Sequence, residues 1–486
     1  MARKKHAAKR KNTWLTSRLW IVLAIVLVAA IVVGAVALVL SGKGIGNKGP
    51  NTTTTTQTTT TGPREPKLIA TATVGSSGDV MIHNGVRKSA QTANGFDFTY
   101  CFENLMPYVQ KADYAAANIE FSVATGTNYS SLPFRVPASV VTALAKTGYD
   151  LGVTANNHIG DGGSTGLKKT LETLTAEGMD HTVTRLNSTD KRYLVKDING
   201  IKIGFLNYSY SGGSNRFSYD NLSAFYTDVE TLMNDMHAEG AELVYLYIHW
   251  GDEYFVKPNN QQKEMAQKLC ALGVDVIIGG HPHKIQPLEL ITDETTGNKT
   301  ICLYSAGNLL SGQQIECMSG GTRANSPHRF QDPPSAGCNY PDVPERDKDT
   351  HRLEHGENCN DNGHTEDGLI FYVTAGRYED GTVMITGVDA VPVWCMGRGI
   401  KLNKVDARNT YFDKYILVPL EKGQDWKTKF GLSDFENTEA GYSYDRTMKL
   451  VGDGMASINA DCTARLDKFI AEFKQAQLTT TTTAQG

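Results

Sequence analysis

The chain has 486 residues, of which 40% are hydrophobic and 21% are charged, as in globular proteins with a large core. Its formal net charge is -4, which excludes a chain-wide basic surface, so we predict no nucleic-acid partner. The length allows two or three domains, and one large catalytic domain with tails fits equally well.

The first 40 residues combine a basic tail with a long apolar stretch. Residues 1–18 are rich in Lys and Arg and contain no Asp or Glu, and an apolar run follows from Leu19 to Leu40. At about 1.5 Å per residue, this run is long enough to cross a bilayer core of roughly 30 Å. A cleaved signal peptide usually has a shorter apolar region, about 7–15 residues. The pattern therefore favours an uncleaved transmembrane signal anchor, with cleavage near Ala35-Val36-Ala37 as the alternative.

Charge on the two sides of this span predicts its orientation. The basic tail outweighs Lys43 and Lys48 on the far side. Because the more cationic flank stays in the cytoplasm, we expect a single-pass cell-membrane protein with a cytoplasmic N-terminus and an extracytoplasmic main domain. Residues 41–66 are rich in Thr and are predicted to form a flexible linker, and residues 479–486 a disordered tail.

From residue 67 to residue 405 the sequence predicts one domain of alternating strands and helices. The predicted strands cover residues 68–74, 114–118, 149–154, 201–206, 243–248 and 274–278. The predicted helices cover residues 138–146, 167–177, 232–239 and 261–272. This alternation is typical of an α/β fold with helices covering a largely parallel sheet, in which ligand groups gather beyond the carboxyl ends of the strands.

Residues 312–366 interrupt this pattern, because they are rich in Gly, Pro, Asn, Asp and His, and are predicted to be an inserted loop. Strands resume at 369–373, 383–388 and 391–394. Residues 406–478 are predicted to be a helical extension, whose last helix at 459–475 packs on the main domain.

The eight cysteines are compatible with an oxidising location. Cys270 and Cys302 lie in apolar runs and are expected to be buried thiols. Cys317, Cys338 and Cys359 lie in the polar insertion, where a disulfide is plausible and its pairing stays open.

Five short polar motifs follow predicted strands. They are Gly78-Asp79, Asn118-Ile119-Glu120, Asn156-Asn157-His158, His249-Trp250-Gly251 and His281-Pro282-His283. Taken singly, each has an ordinary explanation, such as a turn aspartate or a core histidine. Taken together, they supply the carboxylate, amide and imidazole groups of a two-metal hydrolytic centre, and this mixture suits one or two Mn, Fe or Zn ions better than Ca.

The ordered motifs resemble those of the CapA family of capsule and poly-gamma-glutamate synthesis proteins, which in turn resembles the calcineurin-like metallophosphoesterases. The resemblance spans residues 67–394 without the insertion and includes Ala155 to Asp161, His249 to Tyr254, Gly280 to His283, and Ser305 to Asn308. It implies a four-layer αββα metallophosphoesterase-like sandwich.

The resemblance also implies roles for individual residues. The ligands implied for a first cation are Asp79, Glu120 and His283. The ligands implied for a second are Glu120, Asn157, His249 and His281, with Glu120 bridging. His158 would be the acid, oriented by Asp161, while Glu253 and Tyr254 would line the substrate pocket.

One position departs from the metallophosphoesterase pattern. Met81 stands where those proteins usually have a His two residues after the first Asp, and a thioether binds hard cations poorly. His83 lies two residues further on and need not replace it. The first cation site is therefore expected to be weak, mononuclear or empty.

The expected function is the synthesis, export or attachment of an extracellular anionic polymer. As an enzyme, the protein would hydrolyse a phosphoester, or a polymer-linked ester or amide, with a divalent metal. The alternatives are a non-catalytic accessory subunit that partners a membrane polymer synthetase, and a surface binding module.

Overall fold

The structure is a computed structural model that describes residues 63–181, 184–185, 187–212, 215–313, 364–401 and 411–483. The predicted span at 19–40, nearly all of the Thr-rich linker, the core of the insertion with its three cysteines, and the last three residues of the predicted tail lie outside these ranges. Within the described ranges, no helix is both long enough and apolar enough to cross a bilayer.

The described chain contains a series of strands. In chain order they are β1 (Leu68–Val80), β2 (Gln91–Thr92), β3 (Gly95–Phe96), β4 (Tyr114–Ile119), β5 (Ser122–Val123), β6 (Arg135–Val136), β7 (Leu151–Val153), β8 (Asp180–His181), β9 (Leu194–Ile198), β10 (Ile201–Ser209), β11 (Leu243–His249), β12 (Val276–Gly280), β13 (Ile285–Thr292), β14 (Lys299–Ala306), β15 (Asn308–Leu310), β16 (Asp367–Tyr378), β17 (Val383–Lys401) and β18 (Tyr411–Pro419).

Helices connect and cover these strands. The α-helices are α1 (Asn84–Ser89), α2 (Thr99–Phe102), α3 (Met106–Val109), α4 (Ser139–Thr147), α5 (Gly163–Ala176), α6 (Leu222–Ala238), α7 (Asn260–Leu272), α8 (Trp426–Phe430) and α9 (Asp434–Thr483). Short 3₁₀ turns lie at Glu103–Leu105 and Tyr219–Asn221.

Two mixed sheets form the centre of the molecule. The first has the order β18-β17-β16-β1-β4-β7-β8, with β15 paired to the end of β1, and the second has the order β13-β14-β12-β11-β10-β9. β4, β7, β11 and β12 are parallel to both of their neighbours, as predicted, and β1 is parallel to β4 and β15. β16, β17 and β18 continue the first sheet with antiparallel pairing.

Successive side chains along the central strands point to opposite faces of each sheet, and the cores on these faces define four layers. In β11, Leu243, Tyr245 and Tyr247 belong to the core between the two sheets, whereas Val244 and Leu246 belong to the core beneath α6 and α7. A further apolar core lies between the first sheet and the helices of residues 84–176. Because both faces of each sheet are covered, the central strands are apolar at nearly every position. The layers thus follow the expected order of helix, sheet, sheet, helix.

Local sequence signals set the ends of helices. α7 begins with a capping box, in which the Asn259 side chain accepts a hydrogen bond from the Gln262 backbone N–H at 2.9 Å and the Gln262 side chain accepts one from the Asn259 backbone N–H at 3.0 Å. It ends at Gly273, whose φ of +95° is a left-handed conformation that glycine adopts without strain.

The C-terminal part differs from the predicted helical extension over 406–478. Its first described segment is the strand β18, which pairs with β17 and extends the first sheet. The helix predicted over 459–475 is part of the 50-residue α9, which also includes residues 479–483 of the tail predicted to be disordered. α9 does pack on the main domain, as predicted: Val451 and Ile458 belong to the core between the sheets. At Gly454 a Cβ would lie 2.0 Å from the Leu288 carbonyl oxygen, so this close approach to β13 requires glycine.

A buried ion pair joins α9 to the start of β16. Asp367 is fully buried and accepts hydrogen bonds from Arg446 Nε at 2.7 Å, Arg446 Nη2 at 2.8 Å and Ser443 Oγ at 2.6 Å. Burial alone would raise the pKa of Asp367, but the Arg446 guanidinium, together with His364 and Ser443, more than offsets this and lowers it. The pair therefore holds a charged carboxylate in the interior.

We predict that Arg446→Met lowers the free energy of unfolding by about 3–5 kcal/mol, because it leaves the Asp367 charge buried without a partner. Urea unfolding followed by circular dichroism measures this change. Lys468→Ala on the same helix is the control, since Lys468 contacts Glu472 at 3.8 Å with both side chains mostly exposed, and it should change stability by less than about 1 kcal/mol. Equal effects of the two substitutions would contradict the assigned role of Arg446.

Candidate metal centre

The five motifs meet at one edge of the two sheets. Potential ligand atoms form three groups in which all atoms lie within 4.8 Å of one another. The groups are Asp79 with Glu120 and His283, Glu120 with His249 and His281, and Glu253 with His281 and His283. The first two groups bring together all of the predicted ligands except Asn157, and Glu120 belongs to both.

Asp79 lies near the end of β1 and is held from three sides. Its carboxylate accepts hydrogen bonds from Asn118 Nδ2 at 2.7 Å, His283 Nδ1 at 3.1 Å and the His281 backbone N–H at 3.2 Å. Burial by itself would raise the pKa of Asp79, but these contacts lower it. Gly280 gives this carboxylate room, because a Cβ there would lie 2.8 Å from Asp79 Oδ1.

Glu120 follows β4 and is fully buried. Neither of its carboxylate oxygens has a hydrogen-bond partner among the described residues. Oε1 lies 3.6 Å from His249 Nε2 and 3.9 Å from His283 Nε2. Burial, followed by the nearby Asp79 carboxylate, raises the pKa of Glu120 well above its usual value.

His249 ends β11 and faces Asn157, whose Oδ1 lies 2.9 Å from His249 Nε2. His249 Nδ1 is buried without a hydrogen-bond partner among the described residues. Burial, followed by the neighbouring imidazoles of His281, His283 and His158, lowers the pKa of His249 well below its usual value. His249 is therefore neutral at pH 7, the form that binds a cation.

The loop after β12 presents His281 and His283 in an unusual backbone conformation. Their φ angles are +96° and +57°, values that non-glycine residues rarely adopt. Burial lowers the pKa of His281 to about 4, and its Nδ1 has no hydrogen-bond partner in the described chain. The fold thus holds a second neutral imidazole with an unused nitrogen.

Hydrogen bonds select one tautomer of His283. Its Nδ1 lies 3.1 Å from Asp79 Oδ2 and 3.2 Å from Asn308 Oδ1, and the Asn308 Nδ2 donates to the Thr365 carbonyl at 2.8 Å. Because both neighbours of His283 Nδ1 are acceptors, Nδ1 carries the proton. The lone pair of Nε2 then faces Glu120, as a metal ligand requires.

His158 and Asp161 form the predicted pair. His158 Nδ1 lies 2.8 Å from Asp161 Oδ2, which also accepts the Phe134 backbone N–H. The His158 ring packs edge-on against Phe134 with centroids 4.8 Å apart. These contacts fix the imidazole at the margin of the ligand groups, where 18% of its side chain is exposed.

Two residues predicted to line a substrate pocket have different environments. Tyr254 is buried, and its hydroxyl accepts a hydrogen bond from Gln313 Nε2 at 3.2 Å. Its ring centroid is 5.8 Å from that of His283. Glu253 is half-buried, and its carboxylate joins a ligand group rather than lying apart from it.

Residue 81 lies outside the ligand groups. Met81 is buried in the apolar core beside the first sheet. His83 does not take its place: His83 Nδ1 accepts the Gly312 backbone N–H at 3.1 Å, and the ring packs on Phe134.

Several supporting residues were given no role from sequence. Asn156 Nδ2 donates to Asn118 Oδ1 at 3.0 Å and to the Ile119 carbonyl at 2.8 Å, so it links two of the motifs. Tyr210 follows β10, and its ring centroid lies 4.9 Å from that of His281. Asn156 is adjacent to the predicted ligand Asn157, and Asn118 lies two residues before Glu120, so their positions could have suggested a role. The ring contact of Tyr210 has no sequence signal.

These residues fit a divalent metal. Two carboxylate oxygens and two imidazole nitrogens are buried at one place without hydrogen-bond partners among the described residues. Buried polar atoms are normally satisfied, and groups left unsatisfied call for an explanation such as a missing ion. Oxygen and imidazole donors together suit Mn, Fe or Zn.

Comparison with known proteins agrees with the motifs. Residues 73–313 match the family described as bacterial capsule synthesis protein PGA_cap. The chain's resemblance to the CapA family is confirmed. The CapA-like region is 28% identical to the PGA biosynthesis protein CapA of Bacillus subtilis over 245 residues, which are 49% of this chain and 62% of that protein. It is 27% identical to the capsule biosynthesis protein CapA of Bacillus anthracis over 250 residues, 49% of this chain and 59% of that protein.

The CapA-like chain thus spans about three fifths of the length of these curated relatives. Among solved structures, the 5'-nucleotidase from Candida albicans has 10% identity and a TM-score of 0.31, covering 80% of this chain and 58% of that one. A purple acid phosphatase from yellow lupin has 9% identity and a TM-score of 0.29, covering 68% and 55%. TM-scores this low describe only a distant likeness of shape.

We predict that metal binding at pH 7 releases about one proton per protein. Burial and the Asp79 carboxylate raise the pKa of Glu120, which favours its protonated form in the metal-free protein, whereas His249 and His281 are already neutral because their pKa values are lowered. Calorimetric titration with MnCl₂ in buffers of different ionisation enthalpy measures the proton count. Glu120→Gln should abolish the release, and an unchanged count in that variant would assign the proton to another group.

Proposed function

We propose that this protein is a metal-dependent hydrolase that acts on an extracellular anionic polymer or its phosphoester-linked precursor during capsule-type polymer synthesis, export or attachment. The proposal includes the N-terminal membrane anchor and the extracytoplasmic location expected from residues 1–40. It extends to this chain the printed roles of its relatives in PGA and capsule biosynthesis.

One observation carries the enzymatic part of the proposal. Glu120, His249 and His281 bring their ligand atoms within 4.8 Å of one another in the protein interior, and each has a buried polar atom without a hydrogen-bond partner in the described chain. A domain that only bound a polymer surface would gain nothing from this arrangement, because unpaired buried polar groups are destabilising.

Asp79, Glu120, Asn157, His249, His281 and His283 would hold the cation or cations. A bound divalent metal supplies Lewis-acid polarisation and lowers the pKa of a water ligand.

The chain's own contribution to proton transfer is the His158–Asp161 pair. His158 Nδ1–H donates a hydrogen bond to Asp161, which leaves Nε2 to donate or accept a proton. With Nδ1 held by Asp161, His158 Nε2 can act as a general acid towards a leaving oxygen or nitrogen. Phe134 supports both residues, through its backbone N–H on Asp161 and its ring on His158.

We predict that His158→Asn lowers kcat by about 10²–10⁴, the usual contribution of a general acid, without changing the bound metal. The full-length protein would be assayed with bis(p-nitrophenyl) phosphate and MnCl₂, and metal content measured by elemental analysis. His237→Asn is the matched control, because His237 is exposed on α6 and bonds the Ala241 carbonyl at 2.9 Å. Retained turnover in His158→Asn would remove His158 from the reaction.

Measuring polymer production distinguishes the enzymatic hypothesis from the accessory-subunit hypothesis. In cells that make the polymer, we expect His158→Asn or His281→Ala to reduce polymer as strongly as deletion of the gene. Full polymer output from both variants, with deletion still abolishing it, would contradict the catalytic proposal and favour the accessory role.

A further inference from the structure

The third ligand group contains Glu253 and differs from the other two. It shares His281 with one group and His283 with the other, but it does not include Glu120. Glu120 is fully buried, whereas Glu253 is half-buried. The same two imidazoles are therefore within reach of a second carboxylate that has access to solvent.

Backbone contacts hold Glu253 at this place. The next residue, Tyr254, donates its backbone N–H to the Pro282 carbonyl at 2.7 Å, between the two histidines. Tyr254 has a φ of +70°, and His281 and His283, which flank Pro282, also have positive φ. Costly conformations of this kind persist at functional sites, where surrounding structure enforces them. The Gln313 contact to the Tyr254 hydroxyl adds a second fixed point.

We propose that Glu253 is a metal ligand, an inference that rests on the proposed function. With His281 and His283 it forms a set of two histidines and one glutamate on the solvent side of the centre. One carboxylate and two imidazoles are the protein ligands of many catalytic zinc sites, which leave a further position open for water or substrate. His281 Nδ1, buried without a hydrogen-bond partner among the described residues, is a nitrogen that this set can use.

This assignment accounts for Met81. The usual His two residues after the first Asp is absent, and Met81 packs in the apolar core. The set of Glu253, His281 and His283 requires no ligand from residue 81, since its three members come from the segments after β11 and β12. A cation can then be held on the open side even if the Asp79 position binds weakly.

The alternative is that Glu253 contacts substrate only, and metal binding in the absence of substrate separates the two. The full-length protein and its Glu253→Gln variant would be titrated with MnCl₂ and ZnCl₂ alone, using calorimetry and manganese paramagnetic resonance. We expect at least a tenfold loss of affinity and an altered manganese spectrum in Glu253→Gln, comparable to the tenfold to hundredfold effects of substitutions at metal sites. Glu253→Asp should recover part of the affinity.

Asp252→Asn is the matched control, because Asp252 is the exposed neighbouring carboxylate and accepts a hydrogen bond from Asn259 Nδ2 at 2.8 Å. It should bind both metals like the unmodified protein. If Glu253→Gln binds metal with unchanged affinity while His281→Ala loses it, the inference fails and the proposed function stands. If the unmodified protein binds neither metal, both fail.

Discussion

The carboxylate of Glu120 lies in the protein interior with no hydrogen-bond donor among the described residues, and the rest of the centre is arranged around it. A carboxylate in that position is either protonated or neutralised by a cation, because an isolated buried charge is very costly. His249 and His281 cannot supply that positive charge, since burial keeps them neutral at pH 7. The surrounding protein therefore favours an external cation over an internal ion pair.

Support for this arrangement comes from beyond the family-matched residues. His283 is oriented by Asn308, and Asn308 donates to the carbonyl of Thr365. Thr365 belongs to the short segment that Asp367 fixes to Arg446 of α9. A buried ion pair between β16 and the C-terminal helix is thus two hydrogen bonds away from a candidate metal ligand. Substitution of residues that orient metal ligands typically lowers metal affinity by about tenfold to hundredfold.

The sequence predicted the strands next to the candidate metal centre better than the rest of the fold. Strands such as β11 are buried on both faces, so they appear as unbroken apolar runs, and the polar residue that ends each run is easy to find. The sequence did not predict β13 or β14. In β13 the apolar residues are interrupted by Pro287 and Glu289. The early part of α9 lies within the predicted helical extension, but no individual helix was assigned there, because Arg446 and Ser443 face the distant Asp367 rather than an apolar core.

The positions of Glu253 and Tyr210 depend on contacts that no local pattern encodes. Glu253 reaches the histidines through the Tyr254–Pro282 hydrogen bond, which joins two loops across an intervening helix and strand. Tyr210 lies past the predicted end of its strand, which continues to Ser209 instead of stopping at residue 206. Here the tertiary structure, and not the spacing of residues, decides which side chains meet.

The first described residues of the domain lie against its last helix. The Arg64 backbone N–H donates to Gln477 Oε1 at 3.1 Å, and Lys474 contacts Glu65 at 2.9 Å, so the start of the domain lies against the last turns of α9. β1 then runs from Leu68 to Asp79, roughly 35 Å at the usual rise of a strand. Domains whose two ends lie close together and far from the functional site tolerate circular permutation. In this domain a short loop could join the two ends, and new termini could be opened in a surface turn. The cation ligands would keep their order in space while their order along the chain changed.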